Sequence, residues 1–199
     1  VFGGAIGLVY PPETAGRLRA RYGRAFPAGY QDSNTPQTAL ADLRLIERLG
    51  EAAPVAVDFH KPEGGAGERA GLKVLSYKVP RLLSERVPLL EAMGFLVVDE
   101  RTFTVEPDGL APVYVHDMLL ARRGGGEIDL DVLEHRLHAC LMAVLRGQAE
   151  SDGFNALVLN ARLDWRDIAL VRTLARYLRQ IGSPYSQDFL GNALNDHPA

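Results

Sequence analysis

The chain has 199 residues, 47% of them apolar and 24% charged, enough to bury a core as one large domain or two small ones. Its 22 basic and 25 acidic residues leave a formal charge of −3, so no net field draws it to nucleic acid or to an acidic membrane. No apolar stretch approaches the roughly 20 residues needed to cross a bilayer, and the single cysteine, Cys140, excludes an internal disulfide framework and suits a reducing cytoplasm.

The opening Val1-Phe2-Gly3-Gly4 has neither the charged start nor the cleavage site of a signal peptide, and a start at valine reads as the interior of a longer polypeptide. Leu18, Tyr22 and Phe26 recur at helical spacing over 13–26, ahead of Pro27. Residues 28–36, rich in Gly, Asp, Ser and Asn, read as loop, and Thr35-Pro36 supplies an N-cap and first-turn proline for a helix over 37–49. Its apolar stripe is Ala39, Leu43, Ile46 and Leu49.

Pro54 introduces a strand at 55–59, and the glycine-rich stretch 63–71 reads as a mobile loop. A strand over 72–79 leads into a helix over 83–93, closed by Gly94. Two further strands, 95–105 and 112–120, flank the turn Pro107-Asp108-Gly109. The order β-α-β-β, with a helix and a strand before it, predicts a ferredoxin-like α+β sandwich or a permuted version of it, with helices on one face of a single sheet. Beyond Arg122–Gly126 the period is helical: 130–147, a short helix at 154–163, 165–181 capped by Asp164, and 185–194.

Several stretches resemble the large bacterial NAD-dependent glutamate dehydrogenases. They are Phe26-Pro27-Ala28-Gly29-Tyr30, Leu72-Lys73-Val74 with Tyr77, Pro88-Leu89-Leu90-Glu91-Ala92-Met93-Gly94, Val97-Val98-Asp99-Glu100-Arg101 and Val115-His116-Asp117. Two longer ones, Gly147 to Asn155 and Ala175 to Gly182, are similar to the family's helical connector. The resemblance implies an ACT-like βαββ module over 51–123, with N-terminal helices over 1–50 leading into it and an all-α connector over 127–199. It also implies a parent enzyme that oxidises glutamate to 2-oxoglutarate and ammonia with NAD, its hydride-transfer residues in a domain downstream. This segment is then non-catalytic, serving regulation or assembly, with neighbouring domains of the same polypeptide and further copies as partners. No catalytic, cofactor or metal residue is nominated.

Each chemical pattern within the chain has a plainer reading. Gly65-Ala66-Gly67-Glu68-Arg69-Ala70 carries the letters of a dinucleotide fingerprint, but a strand rather than a helix should follow it. Asp131, His135 and His138 lie within two turns of a helix on its polar side and lack a completing ligand. His116 and Asp117, adjacent in a strand, point to opposite faces. Cys140 borders an apolar stripe as a small hydrophobe, and Arg17, Arg21 and Arg24 form a solvated or docking face.

The turn Val79 to Ser84 is the polar feature of most interest. Ser84 is placed to cap the following helix, whose free N–H groups suit a carboxylate, with Arg81 close by. The resemblance to ACT modules implies an amino-acid effector there, on Pro80, Arg81 and Ser84, although capping alone explains Ser84 equally well. Two other readings of the whole are a free-standing amino-acid-sensing module paired with its own copy and a ligand-free structural spacer.

Overall fold

In the computed structural model the described residues are 2–62 and 67–197. The order is α1 (Phe2–Val9), α2 (Pro12–Tyr22), α3 (Ala28–Ser33), α4 (Pro36–Ile46), β1 (Val55–His60), β2 (Arg69–Tyr77), α5 (Leu83–Ala92), β3 (Phe95–Val105) and β4 (Val113–Arg122). There follow α6 (Leu130–Leu145), a 3-10 turn (Gly153–Ala156), α7 (Leu157–Asn160), α8 (Trp165–Gln180) and α9 (Gln187–Asp196). The strands form one antiparallel sheet in the order β1-β2-β4-β3, so the βαββ expectation holds, with β2 and β4 central.

The chain divides into two compact units, and the division runs across the strands. The first comprises Val1–Ala56, Lys73–Arg81 and Arg101–Asp117; the second comprises Val57–Leu72, Leu82–Glu100 and Met118–Ala199. In the first unit, Leu18, Tyr22, Tyr30, Leu43 and Ile46 from the helices pack with Leu75, Val105 and Val115 from the strands. In the second, Val57 and Phe59 alternate along β1, and the Phe59 and Phe95 rings lie 6.2 Å apart. There too Leu133, Leu137 and Leu141 form the buried stripe of α6.

Four local expectations change. The loop expected at 28–36 contains α3, because its polar residues close the helix: Ser33 Oγ donates to Gly29 O (2.8 Å) and Asn34 Nδ2 to Tyr30 O (3.1 Å). The loop expected at 63–71 gives way to β2 from Arg69 onward, while Glu63 to Ala66, including Gly65 and Ala66 of the dinucleotide-like letters, lie outside the described residues. Gly71 belongs in this strand because a Cβ there would collide with the imidazole of His60. Ala70 to Ser76 are buried in succession, so both faces of β2 are covered rather than one.

The third and fourth concern caps. Thr35 accepts from Thr38 N (3.2 Å) as expected, but the N-cap of α5 is Leu82, which places Ser84 inside the first turn with no capping bond. Asp164 sits at the N-cap of α8, yet its carboxylate turns to Arg136 Nε (3.3 Å) instead of capping.

Gly94, just beyond α5, has φ +87°, and a Cβ there would sit 3.2 Å from Ala156 Cβ. Gly109 has φ +71° with open space around it. Gly94→Ala is therefore expected to cost more than the ~1–2 kcal/mol of left-handed backbone alone, and Gly109→Ala only that amount. Equal urea midpoint shifts for the two variants would show that Ala156 yields without cost.

Candidate functional site

The first unit contains a cleft of about 260 Å³ beside α3 and the start of α4, lined by Phe26, Tyr30, Gln31, Asp32, Asn34 and Ala39 among others. Behind it lies a buried ion pair. Asp42 sits on the inward side of α4, and Lys73 enters from β2; their side chains are each 2% exposed. Lys73 Nζ donates to Asp42 Oδ2 at 2.6 Å and to Asn34 Oδ1 at 3.3 Å. The Tyr30 hydroxyl donates to the same Asp42 oxygen, and the Lys73 ammonium lies 5.8 Å from the centre of the Tyr30 ring.

Burying two charges costs several kcal/mol each unless their hydrogen bonds are met. Here the pair also fixes Tyr30 and Asn34, two walls of the cleft, so it holds the shape of a surface site. Burial, reinforced by the Asp42 carboxylate, pushes the Tyr30 hydroxyl far above the usual phenol range, so it remains a donor at any working pH. Its ring packs 4.8 Å from that of Phe26 and edge-on to Phe103 at 5.3 Å.

The residues singled out in the sequence fall elsewhere. Pro80 and Ser84 are exposed and Arg81 is half-buried; Arg81 closes a segment of the first unit, and Ser84 belongs to the second. The letters Gly67-Glu68 run directly into β2, not into a helix. Asp131 pairs with Lys61 Nζ at 2.6 Å, and among the described residues no group of three His, Cys, Asp or Glu side chains is placed to hold a metal ion. His116 Nδ1 lies 3.1 Å from Thr102 Oγ1 inside the first unit. Arg17 and Arg21 both reach Glu47, at 3.6 and 3.2 Å. Cys140 is 1% exposed, and burial pushes its thiol up to about 11, which makes it unreactive packing in the second unit.

The residues that sequence reasoning passed over are Asp42 and Lys73. One signal was available: Asp42 is three residues after Ala39 and four before Ile46, which puts a carboxylate inside the apolar stripe of α4. A second polar lock lies in the second unit. Arg172 on α8 donates to both oxygens of Asp152 (2.6 and 2.8 Å) and to Asn155 Oδ1 (2.7 Å), with the Phe154 ring 5.8 Å away.

Three family models match the chain: "Glutamate dehydrogenase, helical motif 2" over residues 8–49, "Glutamate dehydrogenase, ACT3 domain" over 54–133 and "Glutamate dehydrogenase, helical motif 3" over 149–199. The chain is also similar to the NAD-specific glutamate dehydrogenase of Halomonas elongata, at 34% identity over 186 residues, 94% of this chain and 12% of that protein. The enzyme of the same name from Pseudomonas aeruginosa is 33% identical over 178 residues, 89% of this chain and 11% of that protein. That of Mycobacterium tuberculosis is 34% identical over 204 residues, 98% and 12% of the respective lengths. The chain thus spans only 11–12% of the length of these curated relatives.

Proposed function

Because the chain belongs to the NAD-specific glutamate dehydrogenase family, as a stretch of its ACT3 domain with helical motifs on either side, we propose that it is a non-catalytic regulatory and assembly segment of such an enzyme. The parent reaction is oxidation of glutamate with NAD to 2-oxoglutarate and ammonia, carried out in another domain of the polypeptide. The modular boundaries proposed are N-terminal helices to residue 50, an ACT-like module over 51–123 and a helical connector over 127–199. The matched stretches 8–49, 54–133 and 149–199 support them. A cytoplasmic location and assembly into homo-oligomers belong to the same reading. Among the described residues no helix is long and apolar enough to cross a membrane.

The observation that carries the assembly role is the outward face of α8. Opposite its buried Ile168, Arg172 and Ala175, the helix presents Leu170, Leu174, Tyr177 and Leu178, with Ile181 just beyond it 62% exposed. A helix apolar on both sides is built to be covered on both. Neighbouring domains of the same polypeptide are the proposed cover, and the turn at Pro80, Arg81 and Ser84 is the proposed contact for an amino-acid effector.

The test replaces Leu174 and Leu178 by Asp in the full-length parent enzyme. Both side chains are more than 40% exposed, so the segment alone should keep its melting temperature. The parent should lose its native assembly on sedimentation, with NAD-dependent glutamate oxidation falling at least tenfold, about 1.4 kcal/mol in the barrier. Unchanged assembly and activity would overturn the assembly role, and glutamate oxidation by the isolated segment would overturn the non-catalytic one.

A further inference from the structure

We propose that the cleft beside α3 binds a small primary alkylamine, with Asp32 as its counter-ion. This assignment is independent of the parent reaction and of the effector turn. It rests on what remains unused around the cleft once the fold's own bonds are counted.

Each lining side-chain donor makes a bond within the fold. Gln31 Nε2 donates to Phe26 O (2.9 Å), Asn34 Nδ2 to Tyr30 O (3.1 Å), and the Tyr30 hydroxyl to Asp42. The Thr35 and Thr38 hydroxyls bond to each other at 2.9 Å. Asn34 Oδ1 is taken by Lys73. Asp32 differs: among the described residues its carboxylate has no hydrogen-bond or ion-pair partner, and it lines the cleft at the end of α3.

No Lys, Arg or His lines the cleft, so no side chain there carries a positive charge to pair with an anion. A lone carboxylate without further acidic or imidazole ligands is a poor divalent-cation site, and no three-ligand group exists among the described residues. The floor is apolar, from Phe26, Tyr30, Pro36 and Ala39. One fixed negative charge at the rim over an apolar floor fits an ammonium head with a short aliphatic body. At about 260 Å³ the space lies just below that of drug-sized pockets and excludes large ligands. The buried Lys73–Asp42 pair contributes by holding Tyr30 and Asn34 in place, so that the cleft is formed before any ligand arrives.

The experiment is an NMR titration of the whole 199-residue chain with n-butylammonium chloride, and in parallel with sodium butyrate and the amino acid norvaline. The expected result is saturable, millimolar shifts in the amides of 26–39 with butylammonium, weakened at least tenfold in Asp32→Asn and absent with butyrate. Asp32 is exposed, so the variant should keep the wild-type melting temperature and remain a fair comparison. Shifts that survive Asp32→Asn, equal shifts with butyrate, or no saturable shift with butylammonium would each overturn the proposal. Tighter binding of norvaline would overturn the alkylamine assignment, because the carboxylate and not the ammonium alone would then be recognised, as at the start of α4.

Discussion

Asp42→Ala is expected to lower the stability of the chain by about 3–5 kcal/mol, because it leaves the Lys73 ammonium buried with Asn34 Oδ1 alone and removes the acceptor of the Tyr30 hydroxyl. That is a large share of the ~5–15 kcal/mol by which ordinary domains are stable. Lys73→Met is comparably severe, since it strands the carboxylate instead. The double variant Asp42→Leu with Lys73→Met recovers most of the loss, because no charge is then left without a partner. Urea denaturation followed by circular dichroism reads all three. A single-variant loss below about 1 kcal/mol would mean that the pair is open to water in solution, where exposed ion pairs are worth that little. The expected losses of stability are not the only signature. The cleft should lose its form in the double variant even where stability returns, because neither Tyr30 nor Asn34 retains its partner in the pair.

The second large effect lies in the other unit. Arg172→Ala removes a side chain that holds Asp152 through two bonds and Asn155 through a third, and Asn155 is only 1% exposed. Truncation leaves the side-chain oxygen Oδ1 of Asn155 buried without that donor and loosens the tie between α8 and the 3-10 turn. The expected loss is about 3 kcal/mol, seen as a melting temperature lower by roughly 6–12 °C for a chain of this size. Arg172→Lys should restore little, because an ammonium cannot reproduce the planar fork that spans Asp152 and Asn155. Full rescue by lysine would show that charge alone, and not the forked geometry, fixes the helix.

Most of the fold can be read from the sequence because its decisive signals are local. Thr35-Pro36 marks the start of α4, and Thr35 does bond to Thr38 N. Pro107-Asp108-Gly109 separates β3 from β4, and Gly109 takes the positive φ that such a turn requires. Where local signals mislead, long-range packing wins. The composition of 28–34 is that of a loop, yet Tyr30 is drawn into the core beside Phe26, and a helical turn forms around it. Ser84 has the chemistry of a cap, but Leu82 already takes the extended conformation of that position.

The candidate site was less legible. Tyr30, Asp42 and Lys73 come from α3, α4 and β2, and no spacing rule links positions 31 residues apart. Only the misplaced polarity of Asp42 within an apolar stripe hinted at a partner, and nothing in the flanking Leu72 and Val74 identified it as Lys73. Asp32 gave no hint at all, since an exposed aspartate is ordinary until the bonding of its neighbours is known.

Cys140 gives the chain an internal clock. It is the only thiol, it belongs to the second unit, and its burial keeps it protonated to about pH 11. A thiol reagent can therefore modify it only during the intervals in which α6 is exposed. The labelling rate in native buffer measures how often that unit opens, while the first unit, which has no sulfhydryl, stays silent. The breathing of one half of the molecule can thus be timed without a mutation or an attached probe.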